Sequence, residues 1–379
     1  MQLAPLTSAL ALAVLLLGAA LILAARRRRG PGRRNPGRRN PGRRPDTALP
    51  DDALPDDALD DLPLRAARDA AVRGDWRPAA DLLASTPDAE QRSDRVVVLA
   101  ATAVDHGTWL DHWLDASMKL ERPGDPDALV VRAETGVARA WRLRGTAWRP
   151  RNHHAFVRAL TVADDHARQA AVAAPGDPSP HMTRLRVARG LEVGRDEFAR
   201  RLSALTALAP HHRPALEQAL QYKTAKWGGS AAEMFAFARR VSADAPAGSS
   251  AALLVVWAHL EHGATLDRRG SSRGTAYLAD PATRAEIAAA EERWSGRPGP
   301  AEAGRAWGHN VLAYAWWLAR DPDAARPHLA RTREHLATYP WAFSGDPTAV
   351  HARAQAWVAA CRGATTVTGR RARGHRVRL

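Results

Sequence analysis

Residues 167–175 read Ala-Arg-Gln-Ala-Ala-Val-Ala-Ala-Pro, and residues 196–210 read Asp-Glu-Phe-Ala-Arg-Arg-Leu-Ser-Ala-Leu-Thr-Ala-Leu-Ala-Pro. In the first, Ala167, Ala170, Ala171 and Ala174 share one helix face at the i, i+3, i+4, i+7 spacing. Small side chains there let a second helix approach closely. In the second, Phe198, Leu202, Leu205 and Leu208 make the larger stripe of a partner helix. Both stretches end just before a proline, which cannot continue a helix.

The pattern recurs. Prolines that end helical stretches stand at 87, 123, 175, 210 and 246, at intervals of 36, 52, 35 and 36 residues. Three intervals lie near the roughly 34-residue period of tetratricopeptide-type hairpins. An insertion around 145–153 accounts for the long one. Asp-Pro pairs at 125–126, 177–178, 280–281, 321–322 and 346–347 read as helix starts. Asp caps the orphan amides, and Pro fits the first helical turn. Composition agrees: Ala, Leu and Arg abound, aromatics are 6%, and no long stretch alternates with period two. The expectation is an all-α, tetratricopeptide-like α-hairpin solenoid over residues 63–361. The part after 249 is helical by pattern but does not keep the period.

Ala140-Trp141-Arg-Leu-Arg-Gly145, a helix through His166-Ala-Arg-Gln-Ala170, Lys226-Trp227-Gly228-Gly229-Ser230 and Met234-Phe-Ala-Phe-Ala-Arg239 carry a likeness. Over roughly residues 64–262 the chain resembles a bacterial family of tetratricopeptide-like helical proteins catalogued as a domain of unknown function. The resemblance implies the fold and no chemistry. Read physically, Ser230-Ala-Ala-Glu233 is a capping box, and Gly228 and Gly229 permit the left-handed backbone that ends the preceding helix. Trp141, Gly145, Trp227, Gly228, Gly229, Ser230 and Glu233 are thus expected to fix hairpin corners.

Outward from the body, residues 1–25 carry no charged side chain. A helix over most of 4–25 spans about 30 Å of hydrocarbon at ~1.5 Å per residue. The rival reading is a cleaved signal peptide. No basic segment precedes the apolar run, no clear cleavage site follows it, and Arg26, Arg27, Arg28 and Arg29 abut it. The expectation is a single-pass transmembrane anchor in the cell (inner) membrane, with the N-terminus outside and the main domain cytoplasmic.

Residues 26–62 are low complexity. Gly-Arg-Arg-Asn-Pro recurs from 32, and Ala-Leu-Pro-Asp-Asp recurs from 48. Pro, Gly and charge without large apolar side chains predict a disordered linker. Its basic half is suited to anionic headgroups, or serves simply as a topogenic signal; its acidic half lifts the body away or pairs with the basic half. Residues 362–379 read as a basic disordered tail. The net charge of +15 is concentrated at these ends, with ten Arg in 26–44 and six in 362–379. A broad nucleic-acid face on the body is not indicated.

Cys361 is the only cysteine, so neither an internal disulfide nor a Cys-based zinc site forms within one chain. His259-Leu-Glu-His262 matches no zinc-helix signature, and no phosphate loop or nucleophile elbow occurs. No catalytic residue, cofactor or metal is assigned. Trp307, Tyr314, Trp316 and Trp317 share a helix predicted over 301–319. They read as core, or as aromatic anchors of a concave peptide-binding groove. The expected function is a non-catalytic protein–protein interaction scaffold at the cytoplasmic membrane face. Two alternatives stand beside it: anionic-lipid or nucleic-acid binding through the Arg-rich ends, and an enzyme whose site lies between hairpins.

Overall fold

The computed structural model describes residues 56–119, 125–144, 152–267, 272–296 and 305–372, with side chains to Cys361. The anchor (1–25), the Arg-rich half of the linker, Arg26–Arg29 and Gly145 lie outside the described residues. Among those described there are sixteen α-helices and no strand. None of these helices is long and apolar enough to cross a membrane.

The first ten helices form five hairpins: α1 (Leu62–Val72) with α2 (Arg77–Ala84), α3 (Ala89–Asp105) with α4 (Thr108–Lys119), α5 (Pro126–Arg144) with α6 (His153–Ala173), α7 (Ser179–Gly190) with α8 (Arg195–Leu208), and α9 (Arg213–Tyr222) with α10 (Ala231–Asp244). Each even-numbered helix ends two to four residues before one of the periodic prolines. The 52-residue interval is the α5–α6 hairpin, whose helices of 19 and 21 residues are the longest of the ten. The second half continues with α11 (Leu254–Asp267), α12 (Arg273–Leu278), α13 (Pro281–Ser295), α14 (Arg305–Leu318), α15 (Pro322–Arg331) and α16 (Pro347–Ala372). The last helix extends into the stretch read as tail.

The helix starts follow local chemistry. Asp125, Asp280, Asp321 and Asp346 each accept a backbone N–H two or three residues on, at 2.9–3.0 Å. Asp177 does the same for Ser179 at 2.8 Å. Ser230 Oγ accepts from the Glu233 amide at 3.1 Å, but the Glu233 carboxylate turns to Arg195 at 2.7 Å. Only half of the expected capping box forms, because a guanidinium attracts a carboxylate more strongly than an amide does. Gly228 is left-handed at φ +84. At Gly229 a Cβ would lie 2.0 Å from the Lys223 carbonyl oxygen.

The odd-numbered helices α1 to α11 pack in succession and make an inner layer. Ala167 and Ala170 are fully buried, as are Leu205 and Phe198, while Leu208, at the end of its stripe, is 42% exposed. The two ends of the body meet. Asp56 donates its amide to the Leu336 carbonyl at 3.0 Å, and Asp57 accepts from Thr338. Asp56 to Leu62, within the stretch read as linker, therefore belong to the folded body. The third copy of the Ala-Leu-Pro-Asp-Asp repeat supplies the cap of α1, because Asp61 accepts from the Leu64 amide at 2.9 Å.

Candidate ligand-binding cavity

The inner layer curves around a cavity of about 1280 Å³. From α3 it is lined by Glu90, Asp94, Val97, Val98, Ala101 and Val104, the i, i+4, i+7, i+8 face of that helix. Trp141 comes from α5, Arg186 and Arg189 from α7, and Arg213, Glu217 and Gln221 from α9. Trp257 and Trp307 close the far wall, and residues 57–61 with Ala337 and Tyr339 close the seam between the two ends.

One end is acidic. The buried Arg213 donates to Glu90 Oε1 at 2.9 Å, to Glu217 Oε1 at 3.2 Å and to Asp94. Ser250 Oγ donates to Glu90 at 2.6 Å. One guanidinium thus faces three carboxylates. Burial, and then Glu90, Glu217 and Asp88, push the Asp94 carboxyl up to about 7 against the pull of Arg213. Its side chain keeps 46% of its surface accessible, so cavity water tempers the effect of burial. Burial also raises Glu217. Arg213 lies over Trp307, 4.3 Å from the ring centre. His212 caps α9 through Nδ1, accepting from the Ala215 amide, which puts its proton on Nε2 toward Ala89 O and Ser93 Oγ.

The other end is basic and aromatic. Arg189 lies 5.3 Å from the Trp141 ring centre and 5.5 Å from that of Trp227, and the two indoles meet edge-on at 6.1 Å. Arg144 also lies over the Trp141 ring, 5.6 Å from its centre. Arg186 is paired with the buried Glu134. Glu261 is engaged by Lys226 Nζ at 3.0 Å and by Gln221. Arg189 has no hydrogen bond or ion pair among the described residues. Burial, with Arg186 next, pushes its guanidinium down to about 9. Two cation–π contacts contribute about 0.5–2 kcal/mol each. Arg189 is half-buried and lines the cavity, so water there tempers the cost of its burial.

Of the four aromatics singled out on α14, only Trp307 reaches the cavity. Tyr314 is buried, with its hydroxyl 2.6 Å from Ser344 Oγ. Trp257 and Phe343 stand between it and the cavity. Trp316 is buried and donates to Glu291 at 2.7 Å, and Trp317 packs on Trp341. Trp141 and Trp227, read as hairpin-corner residues, both face the cavity. Glu291 accepts from Trp316 and pairs with His328 at 2.9 Å. His259 is held by Tyr277 and by Glu286 at 2.9 Å. Among the described residues no group of three or more His, Cys, Asp or Glu is placed to hold a metal ion.

Sequence reading missed Glu90, Asp94, Arg189, Arg213 and Glu217. The only local traces are the i, i+4 pairs Glu90/Asp94 and Arg213/Glu217, which on any helix also describe a solvated face. No family model matches the chain, and neither curated proteins nor solved structures yield a match.

Proposed function

We propose that this protein is a membrane-anchored, tetratricopeptide-like solenoid whose inner cavity holds an extended segment of a protein partner at the cytoplasmic face. The observation that carries the reading is the placement of opposite charge along one walled channel. The acidic cluster surrounds the N-terminal ends of α3 and α9. The basic cluster lies by the C-terminal ends of α3 and α5, where Arg142 pairs with Asp105 at 2.6 Å. Asp94 and Asp105 are about 16 Å apart by helical rise, the span of about five extended residues. Tryptophan walls offer large rigid contact area, as peptide-binding surfaces require.

The test places a photo-crosslinking amino acid at Val97, on the cavity wall, or at Val172, which is 80% exposed on α6. Full-length protein in its native membrane is irradiated. A discrete polypeptide adduct from position 97 and none from 172 is the expected result. Equal labelling, or none from 97, removes the reading. The orientation is tested by protease treatment of intact right-side-out vesicles; digestion of the body there overturns it.

One observation favours chemistry instead: a carboxyl titrating at about 7 suits a general acid or base. Against this, Glu90, Asp94 and Glu217 are all tied to Arg213, which holds them together as one ion cluster. A D94N variant that crosslinks its partner normally yet loses a cellular activity would favour the catalytic reading.

A further inference from the structure

We infer that the Arg189 corner of the cavity is an oxyanion site, taking a carboxylate or phosphoryl group carried by the bound segment. This rests on the reading of the cavity as a binding site and adds to it the chemistry of one end of the ligand.

Three observations converge. First, Arg189 lines the cavity without a hydrogen bond or ion pair among the described residues. Charges enclosed by protein are ordinarily paired, because desolvation is costly. The carboxylates nearby are engaged elsewhere: Glu134 by Arg186, and Glu261 by Lys226 and Gln221.

Second, the corner is made of donors. The indole N–H groups of Trp141 and Trp227 and the Nε–H of Arg189 are shielded from solvent and have no acceptor. They come from three separate elements: α5, the 3-10 turn Ala225–Trp227, and α7. Orphan buried donors are rare in folded proteins; these three lie within the cavity wall, and the groups that Arg189 presents to the cavity itself are its Nη–H donors. An oxyanion supplies several lone pairs at once and suits the planar guanidinium fork.

Third, the geometry is fixed in advance. Trp141 and Trp227 flank the guanidinium, at 5.3 and 5.5 Å from its central carbon. Gly229 turns so tightly that a Cβ would meet backbone at 2.0 Å, and this turn seats Trp227. Arg186 and Arg144 add positive potential, and Glu261 offsets part of it. A preformed fork loses little entropy when it binds.

The test titrates full-length protein in nanodiscs with inorganic phosphate and, separately, with acetate, at constant ionic strength set by chloride. Indole N–H resonances of Trp141 and Trp227, assigned through W141F and W227F, report the corner. The expected result is a saturable shift of both resonances and a rise in melting temperature. In R189Q the affinity falls at least tenfold. R189Q alone melts at or above wild type, because an unpaired charge is gone. R189K keeps the charge and loses the fork, so it folds and binds several-fold more weakly. The stronger of the two anions identifies the group as phosphoryl or carboxylate. If neither anion moves the two indoles, or R189Q and R189K bind as wild type does, the inference falls. The crosslinking result at Val97 is independent of this titration, so loss of the oxyanion site leaves the cavity reading intact, whereas failure of the crosslinking removes the segment that would carry the anion.

Discussion

The carboxylate of Asp57 accepts from the backbone amide of Thr338 at 2.9 Å and from its hydroxyl at 3.1 Å, across 281 positions of chain. This contact joins the two ends of the body along one wall of the cavity. His335 reinforces it at Leu59 O, 3.2 Å away. The segment that follows the proposed tether is therefore also the segment that closes the ring.

Replacing Asp57 by Ala removes two hydrogen bonds at an exposed seam. The expected loss is about 1 kcal/mol, because water replaces part of what is lost. The sharper signature is local. Amide exchange at Asp56 and Thr338 should accelerate, while that of the α5–α6 hairpin stays unchanged. Uniform acceleration across the chain would show that the seam is not a separable element.

At the hairpin corner, Ser230→Ala removes the cap of α10 and should cost about 1 kcal/mol. Gly229→Ala should cost more, because its Cβ would meet the Lys223 carbonyl oxygen at 2.0 Å and the backbone must shift. Thermal denaturation ranks the two. A milder effect for the alanine at 229 would contradict the packing described.

Arg213 offsets three carboxylates, so Arg213→Leu leaves them facing one another in an enclosed site. The loss should reach about 3–5 kcal/mol. It depends on pH in a defined direction. Arg213 pulls the Asp94 carboxyl down to about 7; without that pull it rises further, so acidification protonates it early and part of the repulsion goes. The variant should therefore recover stability on acidification relative to wild type. A pH-independent difference would mean that the cluster does not act electrostatically.

Acidification acts oppositely on the whole protein. Burial holds His309 and His351 down at about 4, from 6.5 in the unfolded chain. Between pH 6.5 and 4 the unfolded state binds more protons, so stability falls with falling pH and levels off below 4. Each contributes up to about 3 kcal/mol. Asp94 and Glu217, whose carboxyls are raised, offset part of this in the same window. Melting temperatures from pH 8 to 4 should drop, and His351→Gln should flatten the slope. His351 is fully buried against Trp341 and Thr332, so an unchanged slope would contradict its neutral state.

The sequence by itself determined the elements. Apolar spacing at 167–174 and 198–208, the Asp-Pro starts and the proline stops are local signals, and local hydrogen bonding and sterics read them directly. The hairpins and their boundaries follow from these. What only the tertiary structure decided is which residues meet. Glu90 and Arg213 lie 123 positions apart, and Asp57 and Thr338 lie 281 apart. No periodicity encodes such pairs, because they depend on how each hairpin's small rotation accumulates along the stack. In a chain with 55 basic residues, nothing in the local sequence separates Arg189 from its neighbours. Its position between two tryptophans from distant elements, with no carboxylate to meet it, does. Trp307 and Tyr314 share a helix face, yet Trp257 and Phe343 come between Tyr314 and the cavity. Periodicity assigns a residue to a face, and only the packing of the other helices decides whether that face meets core or cavity.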